Sequence, residues 1–136
     1  MEIDAALAFV RAQHDAIMLT SRRDGSAQMS PITCSVDADD RIVVSTRESA
    51  LKTKNLRRDP RVSLCVVTHG FYGDWIQVDG TAEVVSLPDA MEPLVDYYRS
   101  LRGEHPDWDD YRAAMVRDQR VIVRITPERA GPDRSG

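Results

Sequence analysis

The sequence predicts a mainly β protein, a closed or nearly closed antiparallel barrel with short helices covering its open parts. Three observations predict this class. Short segments rich in Val, Ile and Thr recur along the chain, bounded by Gly, Pro and Asp. Hairpin-type turn chemistry joins neighbouring segments, at Asp24-Gly25 and in the polar run from Asp37 to Asp40. Few helical stripes lie between the segments. Short antiparallel strands at this spacing favour a barrel, since closure removes their exposed edges.

In chain order, Asp4 to Gln13 carries apolar residues at Ala6, Leu7, Phe9 and Val10, a short amphipathic helix with Asp4 as its N-cap. Ala16 to Ser21 is the first strand and Ala27 to Val36 the second. Pro31 lies inside the second and demands an edge or a bulge, because proline donates no ladder bond. Ile42-Val43-Val44 marks the third strand. Leu51 to Asp59 is a basic helix ended by Pro60. Arg61 to Thr68 is a strand, and His69 to Gly73 a loop holding Phe71 and Tyr72. Trp75 to Ser86 is a strand with a bulge or bend at Gly80. Pro88 opens a helix with the stripe Met91, Leu94, Val95 and Tyr98, stopped by Gly103. Pro106 to Asp110 starts another, turning Trp108, Tyr111 and Met115 inward. Arg120 to Thr126 is the last strand. One domain spans residues 1–128, and residues 129–136 read as a polar, frayed tail.

Composition narrows the function. A chain of 136 residues is one domain with one real core. Its net charge of −4 argues against nucleic acid as the main partner. The cations gather between Arg41 and Arg61, which suits a small anionic ligand better than a long polyanion. No apolar run approaches the roughly 20 residues of a membrane span. The first residues lack a signal peptide, so a cytoplasmic protein is expected. Cys34 and Cys65 lack CxxC spacing and are expected as free, buried thiols.

The stretch from Arg41 to Val67 reads as strand, basic helix, strand, and carries the first candidate site. Ser45, Thr46 and Ser49 precede the helix, where short hydroxyls cap free N–H groups or bind an anion. Lys52, Asn55 and Leu56 share one face, with Leu56 packing inward and Lys52 and Asn55 at the rim. A cation and hydroxyls at a helix start make a phosphate seat. A solvated amphipathic helix is the plainer account of the same cations, and residue types alone do not select the seat over it.

Other chemistry is absent from the sequence. No GxSxG frames a nucleophile, and His14, His69 and His105 lack metal-ligand spacing, so no metal is expected. No GxGxxG or P-loop is present. Redox chemistry remains, and it needs a cofactor. The strand from Gln28 to Thr33 is a candidate platform for a flat ring. Gln28, Ser30 and Ile32 share one face, Thr33 lies on the other, and the break at Pro31 would free backbone groups. An edge strand facing water explains that composition equally well.

The run Lys52-Thr53-Lys54-Asn55-Leu56-Arg57-Arg58-Asp59-Pro60-Arg61-Val62 resembles the Lys-Thr-x-Asn-Leu-x-x-Asp-Pro-Arg signature of the pyridoxamine 5′-phosphate oxidase-like split-barrel superfamily. Three further stretches agree in order: Asp24-Gly25 with Gln28-Met29-Ser30-Pro31, Val78-Asp79-Gly80-Thr81-Ala82, and His105-Pro106-Asp107-Trp108-Asp109-Asp110-Tyr111-Arg112. The last is similar to the branch using the deazaflavin coenzyme F-420. The resemblance covers residues 5–128. It implies a Greek-key FMN-binding split barrel, a homodimer with cofactor sites at the subunit interface, and an F-420-dependent reductase delivering hydride to an electron-poor small molecule. By motif position, Lys52 and Thr53 would bind the phosphate with Ser45 and Thr46, and Asn55 would support them. Gln28, Ser30, Ile32 and Thr33 would line the ring, and Trp75 would come from the partner subunit. Two alternatives stand beside this: an FMN-dependent oxidoreductase, and a non-catalytic binder of flavin, deazaflavin or haem. The chain departs from the family pattern at Ala50, where relatives carry a cation, and at Arg129-Ala130-Gly131, where they carry an aromatic.

Overall fold

The computed structural model describes residues 1–132. The elements run α1 (Ile3–Ala12), β1 (Asp15–Ser21), β2 (Ala27–Val36), β3 (Ile42–Arg47), α2 (Leu51–Arg58), β4 (Arg61–Val67), β5 (Trp75–Val85), α3 (Met91–Arg102), α4 (Trp108–Arg117) and β6 (Arg120–Gly131). The six strands close into a barrel in the order β1-β2-β3-β6-β5-β4, antiparallel throughout. The mainly β class and the barrel expected from the sequence are therefore present. No helix among the described residues is long and apolar enough to cross a membrane.

Alternation along each strand sorts side chains into two cores. Met18, Cys34, Val44, Leu64, Val78 and Val123 fill the barrel, with Leu7 and Val10 of α1 and Leu56 of α2. Val43 and Ile122 face the opposite way and pack under α3 and α4, against Leu94, Val95 and Tyr111. One flank of the barrel is thus covered by helices. On another flank Ile17 (39% exposed) and Met29 (63%) of β1 and β2 stay open, near the exposed Phe71 of the β4–β5 loop.

Several boundaries differ from expectation. α1 begins at Ile3, so Asp4 is not its cap but an acid in the first turn, favoured there by the helix's positive end. α3 begins at Met91, and Pro88 lies in the turn before it. Cys34 is buried, but Cys65 is only half-buried, since it lies on the outer side of β4. The last strand does not end at Thr126. It runs to Gly131, pairing Gly131 with Gln77 and Arg129 with Asp79. Asp79 anchors this extension: its carboxylate accepts from Arg129 at 2.7 Å, from Ser63 at 2.6 Å and from Gln77 at 3.0 Å. These bonds, Ser63's first, hold the Asp79 carboxyl below its usual range. Part of the expected tail is therefore barrel wall, and residues 133–136 lie outside the described residues. The bulge expected at Gly80 is present, as a register shift between Asp79 and Gly80. A Cβ on Gly80 would sit 2.3 Å from the Thr126 carbonyl oxygen, so β5 and β6 need glycine there.

Candidate functional site

The barrel is sealed unevenly. β2 pairs with β1 from Ala27 to Thr33, but with β3 only through Cys34, Ser35 and Val36. From Ala27 to Thr33 its second edge has no strand beside it. The Cys34 N–H donates to the His14 carbonyl at 2.8 Å. Antiparallel bonding alternates, so Ile32, Ser30 and Gln28 bond toward β1, while Thr33, Pro31 and Met29 turn their backbone groups to the open edge. Pro31 thus costs β1 no bond, because its missing N–H falls on the open side. This is the edge strand that the proline demanded.

Tyr97 of α3 stands where the β2–β3 ladder parts. Its hydroxyl donates to the Thr33 carbonyl at 2.8 Å, occupying one acceptor of the open edge. Burial pushes the Tyr97 hydroxyl's pKa up, against a smaller opposing effect of the Ser45 backbone. Thr33, Ser45, Tyr97 and Arg120 line one open cleft of about 780 Å³, with His14 and His69 at its far side and Tyr98, Tyr111 and Met115 as its apolar roof.

α2 closes the other side of the opening. Its cap position is Ala50, with no side-chain cap, so Ser45, Thr46 and Ser49 do not cap it as the sequence suggested. The turn is held instead by Thr53, whose hydroxyl donates to the Arg47 carbonyl at 2.6 Å. Lys52 is half-buried and donates to the Ser30 hydroxyl at 3.2 Å, which spans the gap from α2 to β2. Burial and the nearby Arg120 charge lower its ammonium pKa. Neither Lys52 nor Arg120 has a carboxylate at ion-pair distance among the described residues.

The expected site residues therefore divide. Lys52 and Ser30 touch, and Thr33 and Ser45 share the cleft. Gln28 and Ile32 are half-buried on the Ser30 face of β2. Thr46 and Thr53 are buried, Thr46 on the Val44 side of β3 and so toward the barrel interior. Asn55 is not at the rim. It is 1% exposed, donates to the Thr20 hydroxyl at 3.1 Å and accepts from Arg58. Trp75 lies at the start of β5, half-buried and away from this cleft. Of the basic cluster, Arg57 binds Glu48, Arg58 binds the Ser21 carbonyl and Arg61 binds Asp59. Lys54 alone among these four is exposed with no hydrogen-bond or ion-pair partner among the described residues. His105 accepts from the Asp107 N–H and packs with Tyr98, Trp108 and Tyr111, a helix-start contact as expected. Tyr97 and Arg120 went unmarked in the sequence. Arg120 stood only as the first residue of a strand, and Tyr97 lies one position off the stripe of α3.

Two features fit a phosphate-bearing flat cofactor. Arg120, without a carboxylate partner among the described residues, borders a cleft beside the Thr33 and Ser45 hydroxyls while Lys52 reaches Ser30 on β2, and the unpaired edge of β2 offers backbone donors and acceptors to a ring.

Residues 3–132 match the family model described as pyridoxamine 5′-phosphate oxidase. Among solved structures, a conserved hypothetical protein of Mycobacterium tuberculosis is similar at 27% identity with a TM-score of 0.75, over 96% of this chain and 82% of that one. An F-420 reductase is similar at 18% identity and a TM-score of 0.70, over 91% and 94%. General Stress Protein 26 of Bacillus anthracis is similar at 17% identity and a TM-score of 0.63, over 94% and 90%. The last two likenesses speak to the fold alone.

Proposed function

The chain belongs to the pyridoxamine 5′-phosphate oxidase family, a family of split-barrel oxidoreductases, and from that premise we propose that it is a reductase dependent on coenzyme F-420. The observation that carries this reading is Lys52, half-buried without a carboxylate partner, reaching Ser30 on the unpaired edge of β2. The His105 to Arg112 motif favours the deazaflavin over FMN.

Lys52 would hold the phosphate, with Ser30 and Ser45 adding hydroxyl contacts from β2 and β3. Thr53 and Asn55 act from beneath, fixing the turn and the helix that present Lys52. Thr46 is buried in β3 toward the barrel interior and would not touch the cofactor. Gln28, Ile32 and Thr33 would border the ring, whose edge meets the outward backbone groups of Met29 and Pro31. When bound, a reduced deazaflavin supplies a hydride equivalent to an electron-poor double bond. Tyr97 keeps its proton at neutral pH, because burial raises its pKa, and its hydroxyl orients the Thr33 segment. Tyr98, Tyr111 and Met115 exclude water from the roof.

A second copy of the chain would complete the site, and Trp75 would enter from it. Ile17, Met29, Phe71 (67% exposed) and Tyr72 (94%) leave apolar surface that an interface would cover. Light scattering should give about twice the 15.3 kDa chain mass. A clean monomer at micromolar concentration contradicts the shared site.

The activity is tested with reduced F-420 offered to quinones, enones, biliverdin-like tetrapyrroles and nitroaromatics, following oxidation of the cofactor by absorbance. Turnover with at least one class is expected. Turnover only after loading with FMN supports the flavin-dependent alternative, and tight binding without turnover of any class supports a carrier.

A further inference from the structure

Arg120 is the cation that the Lys-Thr-x-Asn-Leu motif does not contain. It opens β6, directly opposite Arg47 of β3. It lies two positions before Ile122, so by alternation it is on the same, outer side of the barrel, under α3 and α4. There it borders the same cleft as Thr33, Ser45 and Tyr97. Its Nε is buried and has no hydrogen-bond partner. A buried donor on a charged group is costly to leave unmade, so such an atom points to a missing acceptor.

Lys52 approaches from the other side. Thr53 ties its turn to the Arg47 carbonyl, on the rung that Arg120 completes, while its own ammonium reaches Ser30. Burial first, and then the Arg120 charge, lower the Lys52 ammonium pKa. Two such charges repel until an anion lies between them. The nearby Arg57, Arg58 and Arg61 are all engaged elsewhere and cannot share this role.

We infer that Arg120 is the second cation of the anion seat, closing on a phosphate from the β6 side while Lys52 holds it from α2. This deepens the proposed function and rests on it for the identity of the ligand, a phosphate monoester or diester joined to a flat ring. The planar guanidinium presents a fork of donors, so it would fix the direction of the phosphate and not only its charge. Ser45 of β3 borders the same cleft as Arg120 and would donate its hydroxyl to the phosphate.

The test uses ligand pairs that differ in phosphate: F-420 against its phosphate-free deazaflavin core, and FMN against riboflavin. Wild type, Arg120→Gln, Arg120→Lys and Lys52→Gln are titrated by fluorescence, with melting curves for each. Arg120→Gln should weaken the phosphate-bearing member by roughly 10- to 150-fold and leave the phosphate-free member within about twofold. Arg120→Lys should lose less than Arg120→Gln, again only with phosphate present, which keeps the test intact if the glutamine variant does not fold. Equal losses for both members of a pair would make Arg120 a merely structural residue and overturn the inference, as would an unchanged affinity for the phosphate-bearing ligand. If wild type binds FMN and not F-420, with the arginine effect confined to FMN over riboflavin, the deazaflavin reading fails and the role of Arg120 stands. If wild type binds F-420 and Arg120→Gln leaves that affinity intact, the reverse holds. Failure of wild type to bind either pair rejects both.

Discussion

Within α2, adjacent residues of one motif have opposite fates. Lys52 is half-buried and meets Ser30 across the open edge of β2. Thr53 and Asn55 turn inward, fully buried, and bond to Arg47 and Thr20. One half of the motif faces the ligand space, and the other half holds the helix that puts it there. A helix advances about 100° per residue, which turns Thr53 away from Lys52, while Asn55, on the same side of the helix as Lys52, is separated from it by depth and bonds Thr20 in the interior. A run of residues that looks like one binding motif is therefore a binding residue with its supports.

This contrast can be broken by measuring stability and affinity on the same variants. Asn55→Ala should give the largest stability loss, about 2–3 kcal/mol, because it empties a buried polar site and removes two bonds at once, to the Thr20 hydroxyl and from Arg58, leaving Thr20 only Gln28 and Arg58 only the Ser21 carbonyl. Urea denaturation reads it. Thr53→Val should cost less, about 1–2 kcal/mol, since it keeps the volume and removes one bond from the Arg47 carbonyl, which still accepts from the Ala50 N–H. Lys52→Ala should change stability least, by no more than about 0.5 kcal/mol, because its hydrogen bond to Ser30 is only part-buried. In ligand affinity the order inverts. Lys52→Ala should weaken F-420 binding by roughly 10- to 150-fold with the fold intact. Equal stability losses at all three positions, or a Lys52 variant with unchanged affinity, would erase the division.

The sequence exposed what periodicity and turn chemistry control. Pro31 announced an edge, Gly80 announced a bulge, and the alternation of Val121, Val123 and Ile125 announced a buried strand, and all three are found. It did not expose which way an isolated polar residue points. Thr and Asn serve equally as ligand contacts and as internal hydrogen-bonding groups, so Thr46, Thr53 and Asn55 could be sorted only by tertiary register. Arg120 and Tyr97 were hidden for the same reason. Their importance arises where β3, β6 and α3 converge, a relation among residues far apart in sequence. The end of β6 was misread because Pro127 and Gly131 resemble a loop. Asp79 captures Arg129 from the neighbouring strand, and Pro127 falls opposite Gly80 at the bulge, where the ladder is already interrupted.

The cofactor assignment turns on charge at the rim of the same helix. Lys54 is exposed and has no hydrogen-bond or ion-pair partner among the described residues, whereas Arg57, Arg58 and Arg61 are engaged within the protein. A long anionic tail would gain from Lys54 and from the unpaired Lys52 and Arg120, and attraction at the exposed rim is screened over roughly 8–10 Å at ordinary salt. The most direct measurement is a paired titration of F-420 and FMN at low and high ionic strength. The account predicts that F-420 binds more tightly at low salt, and that its affinity falls more steeply with salt than that of FMN. If FMN binds more tightly at every ionic strength, the deazaflavin assignment is wrong.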